Sequence, residues 1–288
     1  MKLVLGTAQF GLDYGIANHA GRVHADEVGQ ILRCAASHGI TTLDTAVAYG
    51  DSERVLGEAG VKEWQVISKL PGVPDDCRDV AGWVEQTIDT SLSRLDINSL
   101  DGLLLHRPLQ LLEPMGEQLI AALCRLQSTG RVARLGLSVY DVDSLGLLME
   151  RLPCNVIQVP FSILDQRLIQ SGWAERLRAA GVEIHARSIF LQGLLVMPAH
   201  QRPRAFDPWS QTFRDWDYWL QQTGRNPLEA CLQFALTSDA VDHIVVGIDS
   251  LDQLQQLVSI APTPLSDLPV WHAPPSPYLV NPSHWNTL

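Results

Sequence analysis

The sequence predicts an α/β fold of the (β/α)8 TIM-barrel class, built as one domain over residues 1–288. Apolar runs typical of buried strands alternate eight times with segments whose apolar residues recur at helical spacing. The sequence has no long linker or low-complexity segment that would mark a second domain. The length of 288 residues is ordinary for a single barrel, whose typical size is about 250 residues. One large barrel core is therefore expected.

Four strand and helix pairs are expected in the first half of the chain. The first helix has an apolar stripe that includes Val28, and Gly39 is placed to end it. Ser52 or Asp51 is expected to cap the second helix, and Gly130 to end the fourth. The predicted strands cover residues 2–8, 41–46, 64–69 and 100–106, and the predicted helices cover about 25–38, 52–60, 80–95 and 116–128.

The second half repeats the scheme. Asn226 is expected to cap a helix with Pro227 at its first position, where a proline is well tolerated. Ser250 is expected to cap the last helix. The predicted strands cover residues 132–139, 155–161, 183–189 and 243–248, and the other helices cover about 144–152, 173–180 and 250–261.

Two segments depart from this alternation. About 35 residues separate Phe190 from Asn226, which is longer than a structureless connector usually is. Residues 191–225 include several Trp and Phe side chains, and we predict a flap there with some helix of its own. Residues 262–288 contain seven prolines, which predicts an irregular C-terminal tail packed on the barrel.

Bulk properties exclude several classes of partner. The net charge of -11 argues against nucleic acid and anionic membranes, because both require clustered Lys and Arg. No apolar run approaches the roughly 18 residues of a membrane helix, and the N-terminal apolar run is too short for a signal peptide. Five cysteines without paired spacing predict buried thiols in a reducing compartment. The expected location is the cytoplasm.

Polar side chains follow three early strands at the points where those strands end. The apolar run of the second predicted strand ends on Asp44, with Tyr49 five residues later; Lys69 closes the third strand, and His106 closes the fourth. In a parallel barrel such residues converge on one face. An acid, a phenol, an ammonium and an imidazole are therefore expected to lie together.

This set, with YGDSE beginning at Tyr49 and HRP beginning at His106, resembles the aldo-keto reductase superfamily. The likeness runs from LGTAQFG near the N-terminus to VVGIDSLDQL near residue 250. It implies an oxidoreductase that reduces a small aldehyde or ketone, a sugar being one option, to an alcohol, or runs the reverse. The resemblance makes Tyr49 the general acid, with Lys69 favouring its phenolate, Asp44 holding Lys69, and His106 orienting the carbonyl oxygen.

The resemblance also implies contacts with a nicotinamide cofactor. Ser138 and Gln158 fit positions that hold the carboxamide, but Val139 stands where Asn is common, so one hydrogen bond is expected to be missing. Arg187 replaces a ring that often stacks on the nicotinamide; a guanidinium can stack as well, and a structural ion pair is the alternative. The other expected contacts are Thr7, Ser188, Leu191, Gly193, Gly247, Asp249, Ser250 and Gln253. We further expect the flap to close over bound cofactor.

The choice between NADPH and NADH depends on the loop after the eighth strand. The family usually reads the 2'-phosphate with a Lys or Arg there, whereas this chain has Gly247 and Asp249. A carboxylate repels a phosphate and can accept hydrogen bonds from a ribose hydroxyl. The alternative is that Asp249 and Ser250 only start the last helix. The sequence therefore predicts weak discrimination or a lean toward NADH.

Other functions compete with this interpretation. One is a non-catalytic barrel that binds cofactor and regulates a partner. Metal-dependent hydrolysis with Asp44 and His106 as ligands is disfavoured, because no His-x-His or similar ligand cluster is evident on one strand, and no metal site is predicted. The chain enters its first strand at Lys2, without the hairpin that plugs the barrel bottom in many family members. The C-terminal tail is a candidate to cover that end.

Overall fold

Eight parallel strands form a closed barrel in chain order, which confirms the predicted fold class. The structure is a computed structural model that describes residues 2–287; Met1 and Leu288, at the limits of the predicted domain and tail, lie outside the described residues. The barrel closes where Leu3 pairs with Ile244 and Gly6 with Gly247. The strands are β1 (Leu3–Gly6), β2 (Thr42–Asp44), β3 (Gln65–Leu70), β4 (Leu100–Leu105), β5 (Val132–Ser138), β6 (Val156–Pro160), β7 (Glu183–Arg187) and β8 (His243–Gly247).

Helices connect the strands close to the predicted bounds. They are α1 (Ala8–Gly11), α2 (Ala25–Ser37), α3 (Ser52–Ala59), α4 (Val80–Leu95), α5 (Gly116–Ser128), α6 (Leu145–Arg151), α7 (Arg167–Gln170), α8 (Trp173–Ala179), α9 (Ser210–Thr223), α10 (Pro227–Thr237), α11 (Leu251–Val258) and α12 (Pro277–Val280). The four-residue helices α1, α7 and α12 were not predicted, because one turn is too short to show a helical period. No helix within residues 2–287 has the length and apolar character that crossing a membrane requires.

Two of the three predicted helix caps are confirmed. Asn226 accepts hydrogen bonds from two backbone N–H groups of α10, and Ser250 accepts one from α11. The predicted side-chain cap of α3 is wrong. Asp51 occupies the cap position without a side-chain hydrogen bond, and the Ser52 hydroxyl donates to the Thr7 carbonyl oxygen at 2.9 Å. That bond ties the start of α3 to the end of β1.

The apolar core has two parts. The larger part lies where the helices pack on the barrel, and its side chains come from the predicted helical stripes and from the strands. A separate cluster of Ile67, Leu104 and Val156, each fully buried, fills the barrel interior. Contrary to expectation, not all the free thiols are buried. Cys154 and Cys231 are buried, whereas Cys124 is exposed.

The long segment after β7 contains helix, as predicted. It includes two 3-10 segments, Ala199–Gln201 and Arg204–Trp209, followed by α9. Trp216 is fully buried, its indole N–H donates to the Leu195 carbonyl oxygen at 2.9 Å, and its ring stacks on Trp219 at a centroid distance of 5.4 Å. This aromatic part therefore packs as core.

The C-terminal tail docks on that same segment. The indole N–H of Trp219 donates to Asp267 at 3.0 Å, and the backbone N–H of His272 donates to Asp215 at 2.9 Å. Farther along the tail, the Trp285 ring packs edge-on against Phe206. These contacts are with the segment that follows β7, so they do not support the suggestion that the tail covers the barrel bottom.

Candidate functional site

A cavity of about 1260 Å³, counting its open mouth, lies at the carboxyl ends of the strands. Asp44, Tyr49 and His106 line it, and Lys69 is buried beside Asp44. The structure thus brings the four predicted residues together. Most of the predicted cofactor residues also line the cavity, namely Thr7, Ser138, Gln158, Arg187, Ser188, Gly193, Gly247, Asp249 and Gln253.

Two predicted cofactor residues do not line the cavity. The Leu191 side chain is buried in the core, and the Ser250 hydroxyl caps α11. The alternative role that the sequence left open for Ser250, starting the last helix, is therefore the one that its hydroxyl performs.

Two glycines set the position of Tyr49. Gly50 has a φ of +55°, and a Cβ at that residue would lie 2.5 Å from the Gly11 carbonyl oxygen. A Cβ at Gly11 would in turn clash with the backbone carbonyl of Tyr49. Only glycine lets the two backbones approach this closely. The turn after β2 therefore packs directly on α1, and Tyr49 projects into the cavity.

A buried ion pair lies at the base of the site. The Lys69 ammonium donates to the Asp44 carboxylate at 2.6 Å and to the Thr45 carbonyl oxygen at 2.8 Å. The second Asp44 oxygen accepts from the Gln158 amide at 2.7 Å. Burial lowers the pKa of Lys69, but Asp44 and Tyr49 raise it by more, so that the net pKa lies above its ordinary value. Lys69 is therefore a fixed positive charge.

Tyr49 lies between this charge and His106. The Lys69 nitrogen is 4.9 Å from the centroid of the Tyr49 ring, and the Tyr49 and His106 rings meet edge to face at 5.9 Å. Burial lowers the pKa of His106 to about 4, with further lowering by the charges of Lys69 and Arg187. His106 is thus a neutral imidazole at neutral pH, with one N–H to donate and one nitrogen to accept.

This lowered pKa predicts a pH-dependent loss of stability. Between pH 6.5 and 4 the unfolded chain binds a proton at His106 that the folded protein does not, so stability falls as pH falls through that window. From pH 7 to pH 5, the wild type is expected to lose about 2 kcal/mol more unfolding free energy than His106→Gln. Denaturant titrations at the two pH values measure this difference. His24→Gln, at an exposed histidine, should behave as wild type; equal pH dependence in all three proteins would contradict the prediction.

Arg187 presents a cation to the cavity. Its guanidinium lies over the Tyr140 ring at 4.3 Å and donates to the Val139 carbonyl oxygen at 2.9 Å and to the Ser188 hydroxyl at 3.3 Å. Among the described side chains it forms no ion pair with a carboxylate. The structural ion pair considered from the sequence is therefore not found, and one face and edge of the guanidinium remain for a ligand.

The turn that follows Arg187 is conformationally strained. Ser188, Leu191 and Gln192 have φ values of +62°, +50° and +53°. Residues other than glycine rarely adopt this region of backbone conformation. A Cβ at Gly193, where φ is +91°, would lie 2.3 Å from the Cβ of Ala17 in the loop after β1. Such strain tends to persist at ligand sites. Here it lets the turn pass under the loop after β1 along one wall of the cavity.

Asp249 and Gln9 line the far end of the cavity. The Asp249 backbone N–H donates to the Gln253 side chain at 2.8 Å. Burial raises the pKa of Asp249, and the nearby amides of Gln253 and Gln9 lower it in part. One oxygen of Asp249 and the side-chain oxygen of Gln9 are buried without a hydrogen-bond partner among the described residues. Two acceptors without donors fit a ligand that carries hydroxyl groups, as a ribose does.

Two polar cavity residues, Gln9 and Tyr140, were not identified from the sequence, whereas Tyr14 and the flap residue Gln192 lie in segments expected to form the substrate pocket. Gln9 and Tyr140 stand within three residues of the ends of β1 and β5, so their positions offered a signal. Tyr14 and Gln192 lie in different loops and meet only in the fold, where the Gln192 amide is 3.3 Å from the Tyr14 hydroxyl. Of the flap, only residues up to Val196 line the cavity.

Comparison with known sequences gives a consistent result. A sequence model described as the Aldo/keto reductase family matches residues 2–270. The chain is 26% identical over 256 residues to L-galactose dehydrogenase of Arabidopsis thaliana, and the aligned region covers 83% of this chain and 79% of that protein. It is 28% identical over 204 residues to 6-dehydroglucose reductase of Novosphingobium aromaticivorans, and this aligned region covers 64% of this chain and 66% of that protein.

Solved structures share the fold. An aldo-keto reductase from Bacillus halodurans, solved in its holo form, superimposes with a TM-score of 0.70 at 20% identity over 93% of this chain and 88% of that chain. A putative aldo-keto reductase from Pseudomonas aeruginosa superimposes with a TM-score of 0.67 at 22% identity, covering 90% of this chain and 88% of that chain. At these identities the likeness concerns the barrel architecture.

Proposed function

The chain belongs to the aldo/keto reductase family, and from that premise we propose that it reduces an aldehyde or ketone to an alcohol, or runs the reverse, with a nicotinamide dinucleotide. The family and its oxidoreductase relatives support the reaction class. One observation carries the proposal for this chain. The buried Lys69–Asp44 pair lies beneath Tyr49 at the base of the cavity that most of the predicted cofactor residues line.

Each of the four central residues then has a task. The nicotinamide, when bound, supplies the hydride. Tyr49 donates its hydroxyl proton to the carbonyl oxygen of the substrate, and the nearby ammonium of Lys69 stabilises the phenolate that remains. Asp44 holds Lys69 in place through the 2.6 Å contact. These fixed charges need no reorganisation during the reaction, which is the main advantage of a preorganised site.

His106 acts as a hydrogen-bond donor to the same carbonyl oxygen. Its lowered pKa keeps the imidazole neutral, so it polarises the carbonyl without competing with Tyr49 as an acid. Its ring lies edge to face with Tyr49 at 5.9 Å, and both side chains line the cavity. Two donors that converge on one oxygen select the orientation of the substrate carbonyl.

The other cavity residues would hold the dinucleotide. Ser138 and Gln158 are assigned to the carboxamide, although the Gln158 amide also bonds Asp44. The guanidinium of Arg187 is assigned to the nicotinamide face, opposite Tyr140. The unpartnered oxygen of Asp249 is assigned to a ribose hydroxyl. The remaining lining residues among those predicted are Thr7, Ser188, Gly193, Gly247 and Gln253.

Asp249 is expected to set the choice of dinucleotide. No Lys or Arg occurs between residues 243 and 253, so nothing in β8 or the following turn favours a 2'-phosphate, and wild-type protein should discriminate weakly or prefer NADH. Asp249→Arg is expected to shift the affinity ratio toward NADPH by about tenfold, equivalent to about 1.4 kcal/mol. Dissociation constants for both dinucleotides measure the shift.

The control for that variant is Asp239→Arg, which changes the net charge equally at an exposed position. It should leave the NADPH to NADH ratio unchanged. A wild-type protein that binds NADPH a hundredfold more tightly than NADH would show that Asp249 does not select the cofactor.

The names of two relatives, L-galactose dehydrogenase and 6-dehydroglucose reductase, support sugars as substrates. Polar side chains at the cavity mouth, among them Tyr14, Asn18 and Gln192, suit a polyhydroxylated ligand. Cofactor oxidation assayed against sugars, simple aldehydes and ketones tests the proposed function. Turnover of any carbonyl that depends on added dinucleotide supports it. Tight cofactor binding without turnover of the whole panel would instead favour a regulatory barrel.

A further inference from the structure

A second cluster of polar side chains lies at the amino-terminal end of the barrel. Glu183 and His185 stand two residues apart on β7 and therefore share one face. His243, the first residue of β8, is paired with His185 in the sheet. The ligand-capable atoms of the three residues all lie within 4.8 Å of one another. The cluster spans two strands, so a search for metal ligands on one strand could not find it.

The geometry of the cluster fits one metal ion. The His185 ring nitrogen is 2.6 Å from the Glu183 carboxylate, and that of His243 is 3.7 Å from the same oxygen. Ligands about 2.0–2.2 Å from a tetrahedral Zn²⁺ lie roughly 3.3 Å from each other. The observed distances lie on either side of that value, so small side-chain shifts would admit an ion in place of the proton between His185 and Glu183.

The surroundings support Glu183 as a ligand. Arg134 donates to both of its oxygens at 3.0 Å, so one oxygen can turn to a metal while the other keeps the guanidinium. Hydrogen-bonded carboxylates of this kind orient metal ligands. The other ring nitrogen of His185 and of His243 is buried and has no hydrogen-bond partner among the described residues. Coordination through both Nε2 atoms would leave these two N–H groups without acceptors, which lowers the affinity expected of the site.

We propose that Glu183, His185 and His243 bind a divalent transition metal ion, Zn²⁺ or Co²⁺, at the amino-terminal mouth of the barrel. Two imidazoles and one carboxylate favour these ions over Mg²⁺ and Ca²⁺. The Glu183 and His243 side chains are 30% and 31% exposed, so water can complete the coordination. The positive charge of Arg134 opposes binding, so we expect an affinity in the micromolar range.

The bound ion would join two weakly paired strands. β7 and β8 pair at two positions only, whereas β6 and β7 pair at five. The ion would link the first residue of β8 to β7 and strengthen the pairing of these two strands. Because the cluster lies at the amino-terminal face, opposite the cavity, its effect is on stability and not on turnover.

The test uses metal-stripped full-length protein with Zn²⁺ or Co²⁺ as the only added ligand. Wild type should bind one Zn²⁺ per chain by calorimetry, gain a few degrees in Tm, and give the visible absorption of tetrahedral Co²⁺. His243→Gln should lose at least tenfold in affinity and most of the Tm shift. His200→Gln, at an exposed histidine, should match wild type.

Two results would overturn the proposal. One is a wild-type protein with no Co²⁺ absorption and no Zn²⁺-dependent Tm shift, which would make the cluster an ion-pair network only. The other is equal metal binding by wild type and His243→Gln, which would place the ion elsewhere. Where His243→Gln folds poorly, Glu183→Gln is the second variant, and it should likewise lose at least tenfold in Zn²⁺ affinity.

Discussion

Tyr49→Phe is expected to reduce turnover by about two to four orders of magnitude, the range for removal of a general acid, with little change in folding or cofactor affinity. Phenylalanine keeps the ring that packs against His106 and removes only the hydroxyl that is proposed to donate the proton. Turnover, dinucleotide affinity and Tm, each compared with wild type, measure the three parts of this prediction.

Two other tyrosines serve as controls. Tyr278→Phe removes a hydroxyl from a tyrosine that is 63% exposed and lies outside the cavity, and it should leave turnover unchanged. Tyr14→Phe removes a second tyrosine hydroxyl from the same cavity, in the loop after β1. Turnover near the wild-type rate in Tyr49→Phe, or a greater loss in Tyr14→Phe, would end the assignment of Tyr49 as the acid.

The residues of the central site could be predicted because strand ends are visible in sequence. Asp44 and Lys69 end apolar runs, and a parallel barrel places such residues at one face whatever the details of packing. Their partners were not visible. Gln158 donates to Asp44 across 114 positions of the chain, and a contact at that separation leaves no local pattern. The sequence placed Gln158 at the cofactor, and the structure adds its role beside Asp44.

Residues that combine two tasks were the hardest to predict. Serine is a residue type typical of helix caps, but the end of β1 lies close enough for the Ser52 hydroxyl to donate a hydrogen bond to the Thr7 carbonyl oxygen instead. The sequence left two interpretations open for Arg187. In the fold its guanidinium lies over the Tyr140 ring and forms no ion pair with a described carboxylate. Local propensity is a weak guide wherever a tertiary neighbour offers a better partner.

The amino-terminal cluster shows the same limit. Glu183 and His185 are two residues apart, so half of the pattern was present in the sequence. The third residue, His243, lies on another strand and joins them only through the register of β7 and β8. A barrel brings residues of neighbouring strands together at both of its ends. The sequence analysis considered polar residues only at the carboxyl ends of the strands, so it did not consider the amino-terminal end.

Lys69→Met is expected to destabilise the protein by about 3–5 kcal/mol, because removing one partner of a buried ion pair leaves the other charge uncompensated. The Lys69 and Asp44 side chains are 1% and 4% exposed, so water cannot replace the lost ammonium. Turnover should also fall, since no positive charge remains beside the Tyr49 ring to stabilise its phenolate. Denaturant unfolding gives the free energy, and cofactor oxidation gives turnover.

The double variant Asp44→Asn/Lys69→Met separates these two effects. It removes both charges, so it should recover most of the stability lost in Lys69→Met. It should recover no turnover, because the proposed mechanism needs the ammonium and not merely a satisfied core. Equal stability of the single and double variants would mean that the Asp44 charge is not what destabilises Lys69→Met. Turnover restored in the double variant would mean that Lys69 serves only to neutralise Asp44, and that Tyr49 loses its proton without help from a neighbouring cation.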